Sequence, residues 1–544
     1  MKRNKFIYAL LVIAALSGVS SCKKDLDVKN PNSPTLEQTK TESGIISLAS
    51  GGVYINGFVN GDGWLGDSYF SLPIGFHELL ADNVSAEAAN QNINIVNVPD
   101  YVILDDGTKI SNTSPQKSNL RINNTRDKQS QNMFYYEWTN MYAMNNACNQ
   151  VLALVDNISF AGDAATRKNT IKAWVYWWKG FAYAKLGSIY YAGLINNAVS
   201  QVNSTYVNSA ALIAESNKNL DQAASLLAGI SKTDEYNTVM GKLLPDFVQV
   251  GLGTVPTPAM FIHSINTLKA RNILVNKKLS DMTAADWNAI LTLVNNGVKS
   301  GESVFTGRTN AANNNGFFSA TGGTVASLAS GLPSSTTFKI SERLIQDFKA
   351  GDKRLSNNFK VNEYFNQVGG FTFSSRWQLI DAKQGSPNNG AVILANTTNA
   401  AYELYIAGTY EENELMKAEA LINTGQIEQG LASIDNVRTY QGAGLAKVAG
   451  AGLGLAEAKE ELRKERRAAL VFRGTAFYDA RRWGVIDDVS KGGGRKNAVV
   501  LTSGGVLNTK ATINYNFLDY WDVPADEFVL NPPGAGSAPI KNPN

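Results

Sequence analysis

Two histidines and two cysteines in 544 residues set the first limits on chemistry. His77 and His263 stand far apart with no ligand-like spacing, so neither a histidine-based zinc site nor a Ser-His-Asp arrangement has its parts. Cys22 and Cys148 make no disulfide framework. Cys148 lies in "NMYAMNNACNQVLALVD", where Met141, Met144, Val151, Leu152 and Val155 recur at helical spacing, so it reads as a small core residue. An excess of one charge is also lacking: 50 Lys and Arg oppose 47 Asp and Glu, which offers no basic footprint for nucleic acid. Beyond the N-terminus no apolar run is long enough to cross a bilayer.

The N-terminus itself is unlike the rest. Lys2, Arg3 and Lys5 lead into "FIYALLVIAALSGV", which is short for a membrane span but has the length of a signal-peptide core. Val19, Ser20 and Ser21 then precede Cys22, which resembles the bacterial lipobox, where the cysteine is diacylated and becomes the new N-terminus. An ordinary secretory signal would need no cysteine at that place. Residues 1–21 are therefore expected to be a lipoprotein signal peptide, Cys22 the lipidated residue, and 22–40 a polar tether. Acyl chains would hold the protein on a membrane surface without spanning it.

Helical patterns dominate both ends of the remaining chain. In "EENELMKAEALINTGQIEQGLASIDNVRTYQG", Leu415, Ala418, Leu421 and Ile422 form one apolar face, Gly425 ends the helix, and Ile427, Leu431, Ile434 and Val437 form the next. Small residues at Ala418 and Gly430 resemble a tetratricopeptide helix pair, a unit of about 34 residues that buries its faces by stacking on neighbours. "VYWWKGFAYAKLGSIYYAG" repeats the first half, with Gly180 at the small position and Gly187 at the expected turn. Residues 300–400 differ, being rich in Gly, Asn, Ser and Thr, with the strand-like "FTFSSRWQLI" after Gly369 and Gly370. "YVILDDGTKI" at 101–110 carries an Asp-Gly turn between apolar runs. The expected fold is mainly α: a tetratricopeptide-like helical-repeat scaffold with an irregular loop and short-hairpin insert. Its regions are an N-terminal helical part with ligand loops (41–299), the insert (300–400), and a C-terminal helical part and tail (401–544).

The most specific segment is "ELRKERRAALVFRGTAFYDARRWG", residues 461–484. It resembles the C-terminal signature of the SusD/RagB family, a pattern of the type E-R-R-x-E-L-x-F-E-G-x-R-x-x-D-L-R-R-W-G. Glu465, Arg466, Arg467, Leu470, Phe472, Gly474, Asp479, Arg481, Arg482, Trp483 and Gly484 match it. Ala469, Arg473 and Ala476 depart from it, so the ion pairs of the usual residues there are not carried over. The order of a lipobox, "IKAWVYWWKGFAYAKLGSIYY", "ELMKAEALINTG", this segment and "YWDVPADEFVLNP" is similar to the family along nearly the whole mature chain. The resemblance implies an α-rich tetratricopeptide scaffold on an outer-membrane lipoprotein facing the cell exterior. It also implies capture of a nutrient, often a glycan, for delivery to a SusC-like TonB-dependent barrel transporter.

Other chemistry has less support in the sequence. Arg466, Arg467, Arg473, Arg481 and Arg482 could hold an anion, but Glu460, Glu461, Glu465 and Asp479 supply partners at helical spacing, so pairing and snorkelling over the aromatic face are expected. The glycine-rich 441–462 stretch lacks the third glycine of a dinucleotide fingerprint, where Glu457 stands, and no strand precedes it, so its loop reads as a connector. Asp105 and Asp106 beside Gly107 lack the fuller oxygen spacing of a calcium loop. No cofactor, metal or catalytic residue is expected, and the role is read as binding.

Sugar rings stack on flat aromatics while their hydroxyls take planar polar partners. Aromatics in loops are therefore the candidates: Trp64 and Tyr69 in "NGDGWLGDSYF", Phe317 and Phe318 in "NNNGFFSA", and Trp377 with Arg376 in "FTFSSRWQLI". Strand alternation puts Phe371, Phe373 and Trp377 on one face and Arg376 on the other, and local core is the plainer role for the strand aromatics. Trp64, among Gly61, Gly63 and Gly66, is either docked in a distant core or displayed. A scaffold lipoprotein that assembles envelope proteins is the competing class; the long aromatic-dotted insert favours ligand binding, since a plain scaffold needs only repeats.

Overall fold

The computed structural model describes residues 38–52, 73–86, 94–244, 254–302, 304–308, 338–367, 373–380 and 403–544. After α1 (Pro73–Leu80), the long helices α2 (Met133–Val155) and α3 (Ala164–Ile189) begin on side chains that cap them. Asn132 accepts from the Phe134 amide and Asp163 from that of Thr166, satisfying amides the helix leaves unpaired. Then follow α4 (Ser209–Ala228), α5 (Thr233–Leu243), α6 (Pro258–Val275) and α7 (Ala284–Val294), the last closed by a Thr283–Asp286 capping box. The C-terminal part supplies α8 (Tyr410–Asn423), α9 (Ile427–Tyr440), α10 (Leu455–Ala469) and α11 (Ala476–Arg482). Contacts run from α2 to α3, α4, α6, α7, α8 and α9 in turn, each helix on the next, which is the stacking that amphipathic repeats require.

The small residues work mostly as expected, with one correction. Gly425, at φ +84°, ends the turn between α8 and α9 in the left-handed region that favours glycine. Gly187, however, is no turn: α3 runs on to Ile189, and Gly187 lies within it. Its place is set by packing, because a Cβ there would stand 2.9 Å from Ile213 Cδ1 on α4. Gly180 does the same, its virtual Cβ 2.6 Å from Leu220 Cγ, and its carbonyl accepts from Ser216 Oγ at 2.7 Å. A helix that would otherwise be held off by side chains thus approaches α4 closely. Cys148 is buried in the largest core cluster, as its spacing indicated.

The expected hairpins are not separate decorations. The Asp-Gly hairpin, β1 (Tyr101–Ile103) and β2 (Lys109–Ser111), joins β3 (Phe359–Gln367), β4 (Phe373–Leu379), β5 (Arg495–Thr502) and β6 (Leu507–Asn514) in one antiparallel sheet of order β2-β1-β6-β5-β4-β3. Residues from all three sequence regions meet there. Val102, Phe373, Leu379, Val500 and Ile513 bring the sheet into the same core as α2 and α3. The part of the glycine-rich 441–462 stretch before α10 is a connector in which Val448 and Ala449 donate their amides to Asp435, Gly450 to Glu428 and Gly454 to Glu457.

Candidate ligand-binding site

The arginine-rich segment is buried and paired. Arg466 Nε donates to Asp479 Oδ2 at 2.9 Å, and Arg482 Nε to Asp479 Oδ1 at 2.8 Å. Arg467 reaches Asp347 Oδ2 at 2.9 Å and the Asp82 carbonyl at 2.6 Å. Pairing was expected, but not in this form. Glu461 and Glu465, expected to serve neighbouring arginines on their own helix, instead receive Arg438, at 2.6 and 2.7 Å, and Glu465 also receives Arg354. The arginines do not snorkel; Arg466, Arg481 and Arg482 are almost wholly buried. Burial alone would raise the Asp347 carboxyl, but the Arg467, Arg495 and Arg463 guanidiniums outweigh it and hold that group down to about 2. This network ties α10 and α11 to the rest of the fold.

Arg481 is different, because its guanidinium donates to backbone carbonyls rather than carboxylates. Nη1 donates to Ser188 and Asp519 oxygens at 2.6 and 3.0 Å, and Nη2 to Val275 at 2.9 Å. Its guanidinium carbon lies 4.2 Å from the centre of the Tyr520 ring. Arg481 and Tyr520 form part of the wall of a cleft of about 390 Å³, with Asn276, Lys278, Asp281 and Asp519. Lys278 is turned to Asp487 at 2.7 Å. Asn276 donates through Nδ2 to Ser188 Oγ and the Asn272 carbonyl, while its buried Oδ1 has no hydrogen-bond partner. The cleft therefore offers a half-buried flat ring and an exposed Asp281 carboxylate, beside an unpaired buried amide oxygen, within the volume range of small-ligand sites. Such a set can take a hydroxyl-rich ring.

Sequence reasoning did not single out Tyr520. The signal was present in "LDYWDVP": Trp521 is fully buried and Tyr520 only partly, as neighbours in an extended stretch face opposite ways. Cys22, Trp64, Tyr69, Phe317 and Phe318 lie outside the described residues. Arg376 and Trp377 are on β4, facing opposite sides of the sheet. Arg376 clasps the buried Glu342 through Nε (3.1 Å) and Nη2 (2.8 Å), and its backbone amide adds a third bond at 2.9 Å. Trp377 is partly buried against the main core and stands across from Val361 of β3. The structure does not bring either residue into the cleft.

The remaining polar candidates are occupied. Both Asp105 oxygens accept backbone amides, from Thr509 and Lys510, and Asp106 accepts from Thr108. His77 bonds Glu137 at 2.9 Å and His263 bonds Glu302 at 2.9 Å. Among the described residues no cluster of His, Cys, Asp or Glu is placed to hold a metal, and no helix is long and apolar enough to cross a membrane.

The stacked helix pairs, the joined sheet and the buried arginine segment define a mainly α helical-repeat scaffold with one antiparallel sheet built into its core. Residues 292–533 of the chain match the SusD family. Among solved structures, it is similar to a SusD superfamily protein from Bacteroides vulgatus, with a TM-score of 0.55 and 16% identity over 90% of this chain and 97% of that one. A SusD superfamily protein from Parabacteroides distasonis gives 0.53 and 16% over 92% and 98%. A third structure, with xylogluco-oligosaccharide, gives 0.56 and 12% over 92% and 100%. No curated protein matches the chain.

Proposed function

We propose that the protein is a lipoprotein held on the outer face of the outer membrane through Cys22, which captures an oligosaccharide and passes it to a SusC-like TonB-dependent transporter. The match to the SusD family carries this reading, supported by the fold neighbour that holds xylogluco-oligosaccharide. The role needs binding and no catalysis. Trp64, Tyr69, Phe317, Phe318, Arg376 and Trp377 are proposed to contribute to the glycan surface, with Trp64 the principal stacking residue.

Calorimetric titration of the mature protein with xylogluco-oligosaccharides and malto-oligosaccharides tests the proposal. Loss of a central stacking aromatic commonly costs about 2 kcal/mol or more. Trp64→Ala should therefore weaken binding at least tenfold with an almost unchanged Tm. If Tyr520→Ala has that effect and Trp64→Ala has none, the Tyr520 cleft is the site. Release of reducing ends from the same glycans would overturn the binding-only reading.

A further inference from the structure

A second, narrower cavity of about 30 Å³ lies between α3, α6 and the turn from α10 to α11. Three of the side chains lining it are cationic, Lys185, Arg271 and Arg473, and none is acidic. Arg271 is neutralised by Glu412, with both bonds at 2.5 Å. Lys185 has no such partner among the described residues. Its nearest notable neighbours are the Phe181 and Tyr478 rings, centred 5.8 and 6.0 Å from Nζ. The carboxylate of Glu137, which Lys185 senses at a distance, is already bonded to His77.

Two further lining residues, Thr475 and Tyr478, carry hydroxyls. Thr475 Oγ1 and Tyr478 Oη are buried, both residues at most 3% exposed, and neither has a hydrogen-bond partner. Each hydroxyl can donate. A partly buried ammonium without a counter-ion, in a cavity whose lining also includes two residues with unsatisfied hydroxyls, is costly unless something negative completes the set. Burial accordingly pushes the Lys185 ammonium below its ordinary pKa.

We infer that this pocket binds a small monoanion, either a free halide or the carboxylate group of a larger acid that enters past Lys185 and Arg473. The volume suits one or two water-sized groups, enough for a chloride or a carboxylate and too little for a sugar ring. Lys185 supplies the charge, and the Thr475 and Tyr478 hydroxyls supply hydrogen bonds. The inference does not depend on oligosaccharide binding. If the occupant is a carboxylate attached to a sugar, the ligand class narrows to acidic glycans.

Thermal unfolding of the mature protein, titrated with sodium chloride, formate, acetate or glucuronate at fixed ionic strength, reads the binding, with glucose as the neutral control. A saturable rise in Tm with at least one of these anions and none with glucose is expected, because a ligand of the folded state alone stabilises it. Response to chloride identifies a free-ion site; response to carboxylates only, glucuronate included, identifies an acidic ligand. Lys185→Met should weaken the apparent affinity at least tenfold and leave the anion-free Tm equal to or above that of the wild type. Arg473→Glu, which places a carboxylate at the mouth, should also abolish the response and serves if Lys185→Met does not fold. Absence of a saturable response in the wild type, or an unchanged response in both variants, overturns the inference.

Discussion

Arg482 and Glu419 meet as a two-pronged pair between α11 and α8, with Nη1 2.5 Å from Oε1 and Nη2 2.7 Å from Oε2, both side chains almost wholly buried. Asp479 extends the pair by receiving the Nε atoms of Arg482 and Arg466. Two guanidiniums and two carboxylates thus close a neutral set away from water. In that setting each charge depends on its partner more than the pair adds to stability over an apolar equivalent.

Glu419→Ala should therefore cost about 3–5 kcal/mol, since it leaves the buried set with an uncompensated positive charge. Urea unfolding measures the loss. Adding Arg482→Met to the same chain should recover a large part of it. A loss under 1 kcal/mol for the single variant would mean that the pair is dispensable.

The arginine segment also marks how far the sequence could be read. One bonded pair inside the segment, Asp479 with Arg482, is three residues apart and visible as helical spacing, whereas Asp479 and Arg466 are 13 apart and meet between α10 and α11. Glu419, Asp347, Asp82 and Asn83 are brought to it by tertiary packing alone, which no local pattern encodes. The helices declared themselves through periodicity and Gly425 through its turn. β5 and β6 did not, because "AVVLTSGGVLNTKATIN" alternates weakly and its ladder contains register shifts. The sheet joins strands some four hundred residues apart, so the Asp-Gly hairpin was legible while its neighbours were not. Tyr520 was hidden for a similar reason: its cleft is closed by the end of α6 and by α11, far away in the chain.

Gly180 and Gly229 make opposite predictions for the same substitution. Alanine is the better helix former by about 1 kcal/mol. At Gly180, however, its Cβ would stand 2.6 and 2.7 Å from Leu220 side-chain atoms and 3.2 Å from the Ser216 carbonyl, and Leu220 is fully buried. Overpacking of this kind costs about 1–3 kcal/mol, so Gly180→Ala should lower the Tm. At Gly229, which caps α4 at φ −82°, the nearest atom is 3.6 Å away. Gly229→Ala should raise stability by about 0.4–1 kcal/mol. Calorimetry on the two variants checks both signs, and a Gly180→Ala protein as stable as the wild type would show that α3 and α4 can part without cost.

Glu78 should make stability fall as pH rises through neutrality. It is fully buried on α1; Oε1 accepts from the Gly474 amide at 3.1 Å and Oε2 from Asn83 Nδ2 at 2.6 Å. Burial outweighs those bonds and pushes the carboxyl from 4.5 up to about 7. A folded value above the unfolded one means that the contribution is fully present below about 4.5 and lost as pH rises towards 7. At about 1.4 kcal/mol for each pH unit of that gap, the loss is on the order of 3 kcal/mol. Asp82 and Asp347 act in another window: both are held down to about 2, so their contribution is present above about 4 and lost as pH falls towards 2. His77, whose pKa burial lowers against the pull of Glu137, opposes Glu78 as pH falls below 6.5. Comparison of the wild type with Glu78→Gln cancels that term. Denaturant unfolding at pH 5, 6, 7 and 8 should show the wild type losing stability relative to the variant as pH rises, most steeply up to about 7. Parallel pH profiles for the two proteins would show that the Glu78 carboxyl is not held protonated in the fold.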